Sequence, residues 1–133
     1  MIEAYRIDVE VVAPLHPTEL PERVERSITA LFPEAEVEER PGELVGEAHA
    51  MDRFAERLRE QEIVDAARDV FRRNVDGDAF AFDLKKQAAH EGVVNFAVGN
   101  PDELGDLHVR VRVEEPSVEA FIDGLAPRTA DRE

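Results

Sequence analysis

Leu107-His108-Val109-Arg110-Val111-Arg112-Val113 alternates apolar and polar side chains without a break. In an extended chain successive side chains point to opposite faces, so this run is a strand with one face buried and one solvated. Its counterpart lies near the N-terminus, where Tyr5, Ile7, Val9 and Val11 alternate with Arg6, Asp8 and Glu10 before Pro14 and Pro17 end the pattern. Working outward, Phe80, Phe82 and Leu84 alternate in the same way, as do Val94, Phe96 and Val98. Gly92 and the Gly99-Asn100-Pro101 cluster punctuate these runs.

Between the strands the period changes. Leu20, Val24, Ile28 and Leu31 recur at helical spacing, with Thr18 placed to cap the helix, Pro21 tolerated in its first turn and Pro33 stopping it. Residues 34–40 read as a short strand carrying Ala35 and Val37, Pro41-Gly42 as a turn, and Leu44 to His49 as another strand. Residues 50–74 are helical, but their apolar stripe is not continuous. Met51, Phe54 and Leu58 share one face, while Ile63, Ala67 and Val70 lie nearly opposite, so a break is predicted at the polar run Arg59-Glu60-Gln61-Glu62. Asn74 to Asp78, with Gly77, is a turn. Ser117 caps a last helix whose buried face is Val118, Phe121, Ile122 and Leu125. The expectation is one domain over residues 1–127 and a frayed tail over 128–133. Strands and helices without strict βαβ alternation predict an α+β fold, mostly an antiparallel sheet with helices packed on one face. The other face is then open, lined by Arg6, Asp8, Glu10, His108, Arg110 and Arg112.

Composition narrows the function classes. The chain has 133 residues and no cysteine, which removes disulfides, zinc–thiolate sites and Cys nucleophiles together. No apolar run approaches the length of a membrane span, and the polar alternation at the start is unlike a signal peptide, so a cytoplasmic location is expected. Charge says more. There are 31 acidic residues against 16 Lys and Arg, a net −15, and all the cations except Lys85 and Lys86 are arginine. The acids are spread along patterned segments, not gathered in a tail, which suggests a surface adapted to multimolar salt. At about 1 M salt the Debye length is only about 3 Å, and like charges hardly interact. The competing explanation is a partner of basic proteins.

No catalytic constellation emerges. Ser27 lies inside a helix and Ser117 at a helix start, neither in a Gly-flanked elbow. His16, His49, His90 and His108 are scattered, without the spacing of metal ligands on one strand or helix, and no cofactor is implied. The segment Gly42-Glu43-Leu44-Val45-Gly46 lacks the Lys-Ser/Thr tail of a phosphate loop. The expectation is a non-enzymatic protein with no metal.

The scarce cations are the candidate site. Arg53 and Arg57 are four apart on a helix, as are Arg68 and Arg72, with Arg73 adjacent, and Lys85-Lys86-Gln87 supplies both lysines. Together they could track phosphates. Local ion pairs are the alternative: Asp69 precedes Arg73 by four residues and Asp65 precedes Arg68 by three. Arg110 and Arg112 are likewise placed to face Asp8 and Glu10 across neighbouring strands. Phosphate contacts weaken steeply with salt, so at molar salt RNA binding would rest on shape, hydrogen bonds and stacking, which favours structured RNA.

Leu44-Val45-Gly46, Met51-Asp52-Arg53-Phe54, Gln61 to Arg68, Lys86-Gln87-Ala88-Ala89, Gly92-Val93-Val94-Asn95-Phe96 and Phe121 to Thr129 follow one another in an order that resembles a small archaeal family, uncharacterised protein family 0201. The family is similar to predicted archaeal RNA-binding proteins, some proposed to accompany the exosome. Its fold resembles that of the fifth protein of the large ribosomal subunit. The resemblance implies RNA or a ribonucleoprotein complex as partner, with Lys86-Gln87-Ala88-Ala89 as a contact segment. His90-Glu91 depart from the family pattern, where apolar or aromatic residues are expected. A protein–protein module or homodimer using the open sheet face is the alternative, and it requires an exposed apolar patch.

Overall fold

A computed structural model of the chain describes residues 6–97 and 105–127. The elements are β1 (Arg6–Pro14), α1 (Pro21–Thr29), β2 (Glu36–Arg40), β3 (Glu43–Ala48), α2 (Asp52–Glu60), α3 (Val64–Arg73), β4 (Val75–Asp76), β5 (Ala79–Lys85), α4 (Lys86–His90), β6 (Asp106–Glu115) and α5 (Val118–Leu125). The strands form one sheet in the order β2-β3-β1-β6-β5-β4. Every pairing of named strands is antiparallel. The two alternating runs read from the sequence are the central neighbours β1 and β6, in the register Val9 to Val111 and Val11 to Val109.

That register puts Val9, Val11, Val109, Val111 and Val113 on one face, where they meet the helices in a single apolar cluster. At its centre are phenylalanines brought from separate elements. Phe71 on α3 contacts Phe54 of α2 and Phe80, Phe82 and Phe96, with ring centroids 5.0–6.4 Å apart. Phe54 also stacks on Phe32, beyond the end of α1, at 5.6 Å. α1 packs on β1 and β3, α3 on β5, and α5 on β6. The opposite sheet face carries the charged series expected of it: Asp8 stands across from Arg112 and Glu10 across from Arg110.

Local features follow the sequence closely in two places. Pro41-Gly42 closes the β2–β3 hairpin, and Gly42 takes φ +79°, a conformation that a side chain would penalise. The helical stretch breaks where its stripe changes face: α2 ends at Glu60, Glu62 adopts φ +59°, and α3 starts at Val64.

Elsewhere the structure corrects the reading. α1 begins at Pro21 with Leu20 in the capping position and no side-chain cap bond, so Thr18 does not cap it. Because Leu20 precedes the helix, it leaves the buried stripe, and its side chain is 57% exposed. Val94 and Phe96 do not form a named strand; an isolated antiparallel bridge joins Phe96 to Leu84, flanked by hydrogen bonds from Lys85 N–H to the Asn95 carbonyl and from Ala97 N–H to the Asp83 carbonyl, both 2.9 Å. The preceding Lys86–His90 is instead the short helix α4, and Arg57 and Gln61 of α2 hold the segment after it. The Arg57 Nε donates to the Gly92 carbonyl at 2.6 Å, and the Gln61 amide both donates to and accepts from the Val94 backbone at 2.9 and 2.8 Å. Tyr5, Val98, the Gly99-Asn100-Pro101 cluster and the predicted tail at 128–133 lie outside the described residues.

Candidate nucleic-acid interface

The eight residues singled out as cations or their neighbours do not gather into one patch. On α2, Arg53 pairs with Glu56 at 2.9 Å and Arg57 with Glu60 at 2.5 Å, each an exposed i, i+3 contact. Arg57 is further committed to Gly92. Arg68 is buried on α3 at 8% exposure, its guanidinium 2.7 Å from Asp123 of α5 and 3.0 Å from the Ala126 carbonyl. It clamps the C-terminal end of α5 to α3, so its charge is spent inside the protein. Arg72 and Arg73 are exposed at the end of α3 with no ion-pair partner among the described residues. Both sit in the last turn of α3, where the negative end of the helix dipole stabilises them. Arg73 borders a groove along β5 with Asn74, Phe80, Phe96 and Arg110. Lys85 is half-buried and has interactions of its own.

Lys86 is the unexpected member. It is buried at 5% exposure, and its ammonium donates to the Pro14 carbonyl at 2.6 Å and to Glu19 Oε1 at 3.0 Å. The same Glu19 oxygen accepts the His16 backbone N–H at 2.9 Å and lies 3.2 Å from His16 Nδ1. Burial is the largest influence on the Glu19 carboxyl and would raise its pKa. The His16 N–H, the Lys86 ammonium and the His16 ring together outweigh it and hold the carboxyl below its ordinary value. This network ties the loop between β1 and α1 to the first residue of α4.

Above it, α1 and α4 enclose an open cleft of about 520 Å³. Leu20, Arg23 and Ser27 come from the α1 side, and Lys86, Gln87 and His90 from α4. Gln87 and Arg23 are exposed, and their side chains have no hydrogen-bond or ion-pair partner among the described residues. Sequence reasoning reached Lys86 and Gln87 but missed Leu20, Arg23, Ser27 and His90. No local signal could have joined them, because α4 is too short to show a period and its packing against α1 is tertiary.

The open sheet face is a different electrostatic surface. Arg112 lies 3.6 Å from Asp8, 3.3 Å from Asp78 and 3.6 Å from Glu114, and Arg6 is 3.8 Å from Glu115. His49 and His108 each face an aspartate, Asp8 and Asp83. Its arginines are largely answered by acids of the same face, with Arg110 the exception among the described residues. Among those residues Leu20, which is not on this face, is the exposed large apolar side chain. No group of His, Asp and Glu among them is arranged to hold a metal, and no helix is long and apolar enough to cross a membrane.

An antiparallel sheet backed by helices, with free cations on the helical side and a self-neutralised outer face, defines a class that comparison makes specific: the family model matching residues 8–114 is described as RNA binding. The chain belongs to that family and, within it, groups with the archaeal UPF0201 proteins. It is 40% identical over 132 residues to a UPF0201 protein of Methanopyrus kandleri, covering 88% of this chain and 82% of that one. A UPF0200/UPF0201 protein of Archaeoglobus fulgidus is 35% identical over 129 residues, 96% of this chain but 40% of that longer protein. The crystal structure of the UPF0201 protein from Methanococcus jannaschii superposes with a TM-score of 0.85 at 34% identity, covering 92% of this chain and 94% of that one.

Proposed function

We propose that the protein is a non-enzymatic RNA-binding protein that engages structured RNA with its helical side, working in the cytoplasm of a halophilic archaeon. The observation that carries this reading is the sorting of its cations. Arg23, Arg26, Arg59, Arg72 and Arg73 are exposed on helices without ion-pair partners among the described residues, whereas most arginines of the sheet face are paired with acids. Arg53, Arg57, Arg68 and Lys86 of the same side are paired with acids, so the surface open to an external anion is made by those five arginines. Membership of an RNA-binding family supports the same direction.

With a net charge of −15, phosphate attraction contributes modestly, and at multimolar salt counterion release contributes little more. Recognition therefore rests on shape and on contacts to riboses and bases. The alternative of a protein–protein module on the open sheet face lacks support, since that face has no exposed large apolar side chain among the described residues. The test is retention of RNA by the folded protein in molar KCl, with total archaeal RNA against a duplex DNA control. Selective retention of a few structured RNAs, lost in the Arg72→Glu, Arg73→Glu double variant, is the expected result. Equal retention of DNA, or none of either by folded protein, overturns the reading.

A further inference from the structure

The cleft between α1 and α4 has features that a purely structural helix contact does not need. Its floor is the buried Lys86 ammonium, which has three N–H donors and two partners, the Pro14 carbonyl and Glu19. One donor is therefore left without a partner among the described residues. Arg23 and Gln87 stand on opposite walls, their side chains exposed and without partners among the described residues. The rim carries Leu20, the large apolar side chain that remains 57% exposed. An exposed leucine costs hydration free energy unless something covers it, and here it borders a concave space of about 520 Å³. That volume falls in the range of small-ligand sites, roughly 300–1,000 Å³.

The mixture of groups selects the occupant. An apolar side chain at the rim, a guanidinium free to stack and an amide able both to donate and to accept are together what an unstacked nucleotide requires. Bases splayed from RNA stack on arginine planes and apolar side chains and are read by hydrogen bonds to their edges. Of the two acids that line the cleft, Glu19 is already engaged by Lys86 and His16, while the exposed Glu91 at its edge disfavours a phosphate and favours contact through the base. A free phosphate would leave Leu20 uncovered.

We propose that the α1–α4 cleft receives a single unstacked nucleotide of the bound RNA, with its base against Leu20 and the Arg23 guanidinium and its edge read by Gln87. This rests on the RNA-binding reading and locates its specific contact. It also accounts for how so acidic a protein holds RNA in molar salt: stacking and hydrogen bonding inside a cleft do not depend on counterion release.

The test uses the full chain in molar KCl, with backbone amide NMR on a protein of 14.9 kDa. The probes are the four nucleoside monophosphates and an RNA recovered by the retention experiment. With that RNA, shifts are expected to centre on Leu20, Arg23, Gln87 and His90. Arg23→Ala and Gln87→Ala should each weaken RNA binding about 5- to 100-fold, the range expected for loss of one base stack or one base-edge pair. Both side chains are exposed, and unchanged amide spectra elsewhere will show that the variants fold. Loss of affinity with an unchanged salt slope marks base recognition, whereas a flatter slope marks a phosphate contact and overturns the proposal. If both variants bind RNA like the wild type while the Arg72→Glu, Arg73→Glu variant does not, the cleft inference is refuted and the RNA reading stands. If the monophosphates shift the cleft residues but no RNA is retained, the cleft is a mononucleotide site and both readings fall.

Discussion

Replacing Lys86 by methionine tests whether the buried cation organises this part of the fold. Methionine keeps an unbranched apolar stem and removes the ammonium, so Pro14 loses a donor and Glu19 loses its charged partner. Removing one member of a buried ion pair costs about 3–5 kcal/mol, because the survivor remains desolvated. Glu19 keeps the His16 N–H at 2.9 Å and its side chain is 13% exposed, which places the expected loss near the low end, at about 3 kcal/mol. For a chain of this length that lowers the melting temperature by about 10 °C. The assay is urea unfolding at fixed KCl, repeated at low and at multimolar salt. A pair with side chains 6% and 13% exposed is poorly screened, so the loss should persist at high salt. Acid supplies a second reading. Since the folded-state pKa of Glu19 is lowered, its contribution is present above the unfolded value and is lost as pH falls through the folded one. Lys86→Met removes part of the cause of that lowering, so the variant should lose less stability than the wild type as pH falls below the ordinary carboxylate range. An unchanged unfolding midpoint, or a loss that vanishes at high salt, would refute the reasoning.

Two further perturbations probe the frame that holds the cleft. Phe71→Ala removes a ring in contact with four others and should destabilise the protein by about 3–5 kcal/mol in chemical unfolding. Gly46→Ala places a Cβ 2.9 Å from Ile28 Cγ2 of α1, and should cost about 1–3 kcal/mol by pushing α1 off β3, with the amide shifts of α1 moving most.

How far the fold was legible depended on how local its signals are. The alternation at Ile7 to Val11 and Leu107 to Val113 revealed two half-buried strands, and even their outward charges were assigned to the right face. The break after α2 was legible because an apolar stripe cannot change sides on a continuous helix. The start of α1 was not, since Leu20 keeps the helical spacing while lying outside the helix. Val94 to Phe96 alternated but pairs with β5 only around Phe96, because the backbone of Val94 is taken by the Gln61 amide.

The candidate site was legible as residue types but not as a place. Scarcity of lysine drew attention to Lys85-Lys86-Gln87, and nothing in those letters marked Lys86 as buried and Gln87 as free. The partners of Lys86 and Arg68 lie 67 and 58 residues away along the chain. The sequence by itself determined the central strands β1, β6 and β5, the break between the two middle helices and the acidic character, since periodicity and net charge are sums over neighbouring residues. Only the tertiary structure decided which cations are consumed inside the protein and which face outward, and that α1 and α4 enclose a cleft, because an ion pair depends on distances in space that spacing along the chain does not set.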